Sequence, residues 1–316
     1  MNIGTKIKAN FVDKAIITGA SGLIGMSVAK YLSSLGVQLL CLGRQNFSTQ
    51  DCHKHFGDQA KYISLSMSNI STLPENLKRN GWSSFEGALF YNFAWSGKSS
   101  LADGAFSDQL QNAVWSAEAV KVAKAIGCSK FINSGSMEET FIGAFKKMEN
   151  KQEYKSNQTN YGLAKIATRD LCSMVAYIEG IDYIHTRMSV PLDSDLSKGN
   201  YISSAMNKIL RGVEYEKPQS TSLYDLVLLE DVVRAYHLIG EKGLNKANYY
   251  IGTGRPATLQ RHFERFKHII SGQYDYENDS IENENTRLFD VQRIRQETGF
   301  VATLGLKHIS NKALKK

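Results

Sequence analysis

The segment Gly19-Ala20-Ser21-Gly22-Leu23-Ile24-Gly25 constrains this chain more than any other. It follows directly on Lys14 to Thr18, which reads as a strand. It opens a stretch from Gly22 to Leu35 that reads as a helix ending at Gly36. In that context each glycine has a reason. Gly19 allows the tight turn, Gly22 lets the backbone approach a pyrophosphate, and Gly25 lets the helix pack on the strand. The helix N-terminus then presents unpaired N–H groups and the positive end of its dipole to an anion.

The first half continues the strand–helix alternation. Val37 to Leu42, Tyr62 to Leu65, Ala88 to Asn92 and Phe131 to Asn133 read as further strands. Leu110, Ala113, Val114, Ala117 and Val120 have helical spacing, and Gly127 ends that helix. A long helix from Tyr161 to Tyr177 precedes a sixth strand from Asp182 to Thr186. Later, Val227 reads as strand, Glu230 to Ile239 as helix and Asn248 to Ile251 as strand. From Thr258 on the chain reads as helical, with a polar loop from Tyr274 to Asn285. The alternation predicts an α/β fold with a parallel sheet covered by helices on both faces.

The 316 residues suffice for one large domain or two small ones, and 42% are hydrophobic against 22% charged, so a proper core is expected. No apolar run approaches the roughly 20 residues of a membrane helix. The opening MNIGTKIKAN lacks a signal peptide's apolar core, so a cytoplasmic protein without membrane contact is expected. The four cysteines, Cys41, Cys52, Cys128 and Cys172, are scattered and read as buried thiols. Cys52-His53-Lys54-His55 reads as a solvated loop in preference to a metal site, and no metal is expected. The net charge of +7 favours anionic partners. The basic residues are dispersed apart from the tail Lys312-Ala313-Leu314-Lys315-Lys316, and no nucleic-acid motif is present.

The glycine turn predicts a bound dinucleotide. The second strand ends in Leu42-Gly43-Arg44 without the carboxylate that would bind ribose hydroxyls. Arg44 can pair with a 2′-phosphate, which favours NADP(H), with NAD(H) possible. Tyr161-Gly162-Leu163-Ala164-Lys165 carries the chemistry. Tyr161 and Lys165 stand at i and i+4 and share a helix face. The ammonium is expected to stabilise the phenolate and lower the Tyr161 pKa, so that the hydroxyl exchanges a proton with a carbonyl or alcohol oxygen. Ser136, in the turn Ser134-Gly135-Ser136-Met137-Glu138, is the candidate to hold the same oxygen, with Ser134 second.

With these residues the chain resembles the extended short-chain dehydrogenase/reductases, specifically the NAD-dependent epimerase/dehydratase family that modifies nucleotide sugars. The resemblance includes Asn92-Phe93-Ala94-Trp95, Arg187-Met188-Ser189-Val190-Pro191, the segment Tyr224 to Asp231, and Tyr250-Ile251-Gly252-Thr253-Gly254. It implies a Rossmann doubly wound sheet with a smaller C-terminal substrate-binding lobe. Residues 1–186 would form the dinucleotide domain, with a return segment near 222–252. Residues 187–221 and 253–316 would form the lobe. It also implies a homodimer through helices at 107–126 and 158–178. The expected dinucleotide contacts are Gly19, Ser21, Gly22, Leu23, Ile24, Gly25, Arg44, Ser66, Met67, Phe93, Ala94, Trp95, Tyr161, Lys165 and Met188. The expected contacts to a nucleotide-diphosphate sugar are Ser96, Ser136, Glu138, Tyr161 and Asn200.

Three reactions stay open under that resemblance. The family's 4,6-dehydratases carry Thr-Asp-Glu where this chain has Ser136-Met137-Glu138, and methionine cannot protonate a leaving hydroxyl. The segment from Arg187 to Asn200 is similar to 4-keto-6-deoxyhexose reductases. An NADP(H)-dependent reductase is therefore expected first, a nucleotide-sugar epimerase second and a dehydratase third. A non-catalytic dinucleotide-binding sensor is the reading from another class, but such proteins usually lose the tyrosine or lysine present here.

Overall fold

The computed structural model describes residues 12–81, 84–97, 105–147, 159–197, 200–273 and 284–313. In chain order these form β1 (Lys14–Thr18), α1 (Leu23–Ser34), β2 (Gln38–Gly43), α2 (Thr49–Phe56), β3 (Ala60–Ser64), α3 (Leu73–Arg79), β4 (Leu89–Asn92), α4 (Phe106–Ala125), β5 (Lys130–Ser134), α5 (Met137–Lys147), α6 (Thr159–Glu179), β6 (Asp182–Met188) and β7 (Val190–Leu192). There follow α7 (Tyr201–Leu210), β8 (Leu223–Tyr224), β9 (Leu226–Leu228), α8 (Leu229–Lys242), β10 (Asn248–Ile251), β11 (Ala257–Thr258), α9 (Leu259–Ile270), α10 (Gln292–Thr298) and α11 (Leu306–Ala313).

Seven strands form one sheet in the order β10-β6-β5-β4-β1-β2-β3, and every pairing in it is parallel. This is a Rossmann-like α/β fold. Strand residues alternate between two cores, as the period of two requires. Ala15, Ile17, Leu39, Cys41, Leu89 and Tyr91 pack against α1, α2 and α8. Ile16, Leu40, Leu42, Phe90 and Phe131 pack on the opposite face against α3, α4 and α6. With both faces covered, these strands are apolar through their middle residues. A third core, with Leu192, Met206, Leu228, Leu259, Phe263 and Phe266, belongs to the C-terminal elements. No helix among the described residues is long and apolar enough to cross a membrane.

Two helices form where loops and turns are expected from the sequence. Cys52-His53-Lys54-His55 lies in α2, not in a solvated loop. Ser48 caps that helix by accepting the Asp51 N–H at 3.1 Å, and Cys52 and Phe56 turn inward at helical spacing. The run is short and mostly polar, so its periodicity hides in a single pair of buried residues. Met137 and Glu138 likewise open α5 instead of completing a turn. The third strand spans Ala60–Ser64 and stops short of Leu65. The polar segment at Tyr274 to Asn285 lies, up to residue 283, outside the described residues.

The C-terminal strap is tied to α8 through one carboxylate. Asp231 is buried and accepts the backbone N–H groups of Thr303 (3.1 Å) and Leu304 (2.9 Å), and it pairs with Arg234. Removing it leaves those donors unpaired. Asp231→Ala should therefore cost about 2–4 kcal/mol, read as a lower urea midpoint. A midpoint equal to that of the parent would reject this account.

Candidate active site

β1 ends at Thr18, and Gly19 turns the chain with φ +64, which side chains rarely adopt. A Cβ there would lie 2.7 Å from the Ala94 nitrogen, so the turn also needs the close approach of the β4 loop. Gly22 caps α1 with no side-chain hydrogen bond, and the first turn, Leu23-Ile24-Gly25, holds no acidic residue. The positive end of the helix is thus free for a phosphate. Beside it runs a cleft lined by Gly19, Ser21, Gly22, Gly43, Arg44, Ser66, Met67, Phe93, Ala94, Trp95 and Ser96, and also by Trp115 and Ile70, which the sequence did not single out. None of its lining residues is acidic. Arg44 is exposed at the end of β2. These features fit an anionic dinucleotide.

The candidate reactive side chains meet where β4, β5 and α6 converge. Asn112 holds the β4 loop by accepting the Ser96 N–H (2.6 Å) and donating to the Ser96 carbonyl (2.9 Å). Trp95 Nε1 donates to Gln109 Oε1 at 2.9 Å. The Trp95 ring meets Tyr161 edge-to-face at 5.5 Å. Lys165 Nζ sits 3.7 Å above the same indole and donates to the Ser134 carbonyl at 2.8 Å. Tyr161 is buried and hydrogen-bonded to the Ser136 side chain. Ser136 also accepts the Glu138 N–H through Oγ at 3.2 Å. Ser136, Tyr161 and Lys165 therefore form one constellation. Ser134 contributes its carbonyl to Lys165, and its Oγ accepts from Tyr236 at 3.2 Å.

The electrostatics correct one expectation. Burial pushes the Tyr161 phenol up; the Ser136 hydrogen bond opposes this, while Glu139 and Glu138 reinforce it. The Lys165 ammonium is turned to the indole face and to a carbonyl, 5.6 Å from the phenol ring centre, and the net shift of the phenol is upward. Burial instead lowers the pKa of Lys165 itself to about 8, against the opposing pull of Glu139. In this form the phenol is a proton donor at neutral pH.

Other expected residues are placed less centrally. Glu138 is half-buried beside Gly162 and starts α5. Met137 is buried against Tyr250 and Phe289. Asn200 is exposed, and its side-chain oxygen caps α7 by accepting the Ser203 N–H at 2.8 Å; it is not among the residues lining the cleft. Met188 ends β6 inside the core. Glu139 was missed, although it is fully buried at the site. Its signal is the capping-box spacing Ser136-x-x-Glu139, in which the carboxylate reaches back to the Ser136 N–H at 2.9 Å.

The model of the family described as "NAD dependent epimerase/dehydratase family" matches residues 15–252, which contain the cleft and all three candidate side chains. The chain belongs to this family. Solved structures share its fold. A UDP-glucose 4-epimerase from Thermotoga maritima superposes with a TM-score of 0.70 at 19% identity, covering 96% of this chain and 98% of that one. The Bordetella bronchiseptica enzyme WbmF, solved with NADH, gives 0.70 at 16% identity over 96% and 91%. A Bacillus cereus UDP-glucuronic acid 4-epimerase, solved as a tyrosine-to-phenylalanine mutant in complex with NAD, gives 0.69 at 15% over 96% and 99%.

For this family member, Tyr161→Phe should lower turnover by about 10²–10⁴ while leaving dinucleotide affinity, measured by fluorescence titration, within about twofold. Full turnover in the mutant would remove Tyr161 from the chemistry. Lys165 is charged below its pKa of about 8 and neutral above it, so turnover should decline as pH rises through about 8. A kcat/KM profile flat to well above that value would contradict it.

Proposed function

We propose that this protein is an NADP(H)-dependent oxidoreductase acting on a nucleotide-activated sugar, specifically a reductase of a 4-keto-6-deoxyhexose. The observation that carries the redox reading is the hydrogen-bonded Ser136–Tyr161 pair beside Lys165, at the edge of the phosphate-binding cleft. The dinucleotide, held along the α1 N-terminus and the β4 loop, supplies hydride when bound. Tyr161 gives its proton to the oxygen of the carbonyl being reduced. Ser136 orients that oxygen. The other N–H donors of Lys165 would hold the ribose, with the ammonium seated on the Trp95 ring. Ser96, Glu138 and Asn200 are assigned to the substrate side.

Arg44 supports the cofactor choice, since it is exposed beside a cleft with no acidic lining residue. Met137 weighs against dehydration. It offers no acid, and its side chain packs away into the core. One observation favours a second reading, a nucleotide-sugar epimerase: two of the fold neighbours are 4-epimerases, and one of these was solved with NAD. The proposed assembly is a homodimer. α4 and α6 lie against each other and expose Val114 on one and Leu171, Met174 and Ile178 on the other.

The reactions separate by stoichiometry. With a 4-keto-6-deoxyhexose nucleotide, the reductase should oxidise one NADPH per product, read as loss of the reduced-nicotinamide absorbance. Product formed without net absorbance change would favour the epimerase. Arg44→Ala should weaken NADPH binding about tenfold or more and NADH binding little; equal losses would sink the NADP(H) assignment. Met174→Arg with Ile178→Asp should yield a monomer in light scattering, and an unchanged mass would exclude this interface.

A further inference from the structure

Beneath the reactive side chains, a row of buried polar groups crosses the C-terminal ends of four neighbouring strands. The Ala94 N–H donates to Thr18 Oγ1 (3.3 Å), and Thr18 donates to Asn92 Oδ1 (2.6 Å). Asn92 Nδ2 donates to Asn133 Oδ1 (2.9 Å) and to Ser116 Oγ (3.1 Å). Asn133 Nδ2 then faces His185 Nδ1 at 3.3 Å. Tyr183 Oη lies 3.2 Å from the same ring nitrogen. Nε2 lies 3.1 and 3.0 Å from the two oxygens of Glu139. Both side chains of the pair are fully buried.

The turn above is shaped around this pair. A Cβ on Gly135 would fall 2.2 Å from Glu139 Oε1 and 2.3 Å from His185 Nε2. Glycine is what lets the Ser134-Gly135-Ser136 backbone rest directly on the carboxylate, where Oε1 accepts the Ser136 N–H.

We propose that Glu139, clamped by His185, is a positioning residue that fixes the backbone of Ser136 and sets a buried negative charge on the same turn whose Ser134 carbonyl Lys165 binds. This deepens the catalytic reading given above and rests on it for its functional consequence. The charged and titratable groups around the carboxylate are His185, Tyr183 and Arg187 from β6, Lys165, Tyr161 and Arg169 from α6, and its neighbour Glu138. Arg169 Nη1 approaches it to 3.6 Å from a partly solvated position. Burial opposes the charged form of Glu139, but His185, the Ser136 N–H and Lys165 outweigh it and hold the carboxyl below its usual range. The Ser134 carbonyl and the Trp95 face also offset the desolvation of this buried ammonium. A buried carboxylate at this spot keeps Lys165 protonated without taking it as a direct ligand, so the ammonium stays available to a ribose.

The test needs no sugar substrate, so its failure is separable from failure of the reductase reading. Isotope-labelled lysine NMR on the full chain follows the Lys165 titration, assigned by its loss in Lys165→Met. In the parent, Lys165 titrates near 8. In Glu139→Gln, which keeps the shape and can still accept from His185, the titration should fall by roughly one pH unit or more. In Glu139→Asp it should return toward the parent value, since the charge is retained. If Glu139→Gln does not fold, as judged by circular dichroism, the paired change Glu139→Met with His185→Phe removes both polar partners together and should give the same downward shift. An unmoved Lys165 titration in a folded variant lacking the carboxylate overturns the proposal.

Discussion

The contact between the Glu139 carboxylate and the Ser136 N–H holds the reactive end of this molecule together. It closes the first turn of α5, and so decides where Ser136 presents its hydroxyl to Tyr161. It places a negative charge in a region that also buries Lys165. It is backed in turn by His185, which lies against both carboxylate oxygens and meets the row of amides through its other ring nitrogen. A helix cap and a buried histidine are thus parts of one hydrogen-bonded unit, in a place where an unpaired polar group would cost most.

The sheet supplies what that unit needs. Four adjacent parallel strands pair in register, so Thr18, Asn92, Asn133 and His185 come into line although they are far apart in sequence. The same edge releases the β1 turn and the β4 loop, which meet where Gly19 lies against Ala94. The dinucleotide cleft and the proton-transfer residues are therefore set by one rigid edge, with α4 reaching in through Gln109 and Asn112 to hold Trp95 and Ser96.

Much of this was legible in the residues. The parallel sheet follows from apolar runs long enough to be buried on both faces, and β1 and β10 match their sequence-derived limits. The cleft is legible because glycine spacing, a preceding strand and a following helix agree. Short polar helices were not, because α2 shows one inward pair, Cys52 and Phe56, and too few turns to establish a period. The Lys165 environment was illegible for another reason. Helical spacing puts Tyr161 and Lys165 on one face, yet the direction of the ammonium is decided by Trp95, from a distant loop. Glu138 drew attention through a family comparison, whereas the buried charge is Glu139, one step further along a capping box.

The indole of Trp95 has an optical consequence. Of the chain's three tryptophans, Trp95 and Trp115 both line the cleft. Indole emission overlaps the absorption of reduced nicotinamide. A reduced dinucleotide held in this cleft would therefore quench the emission of both tryptophans, and its oxidised form would quench it less, with no label attached.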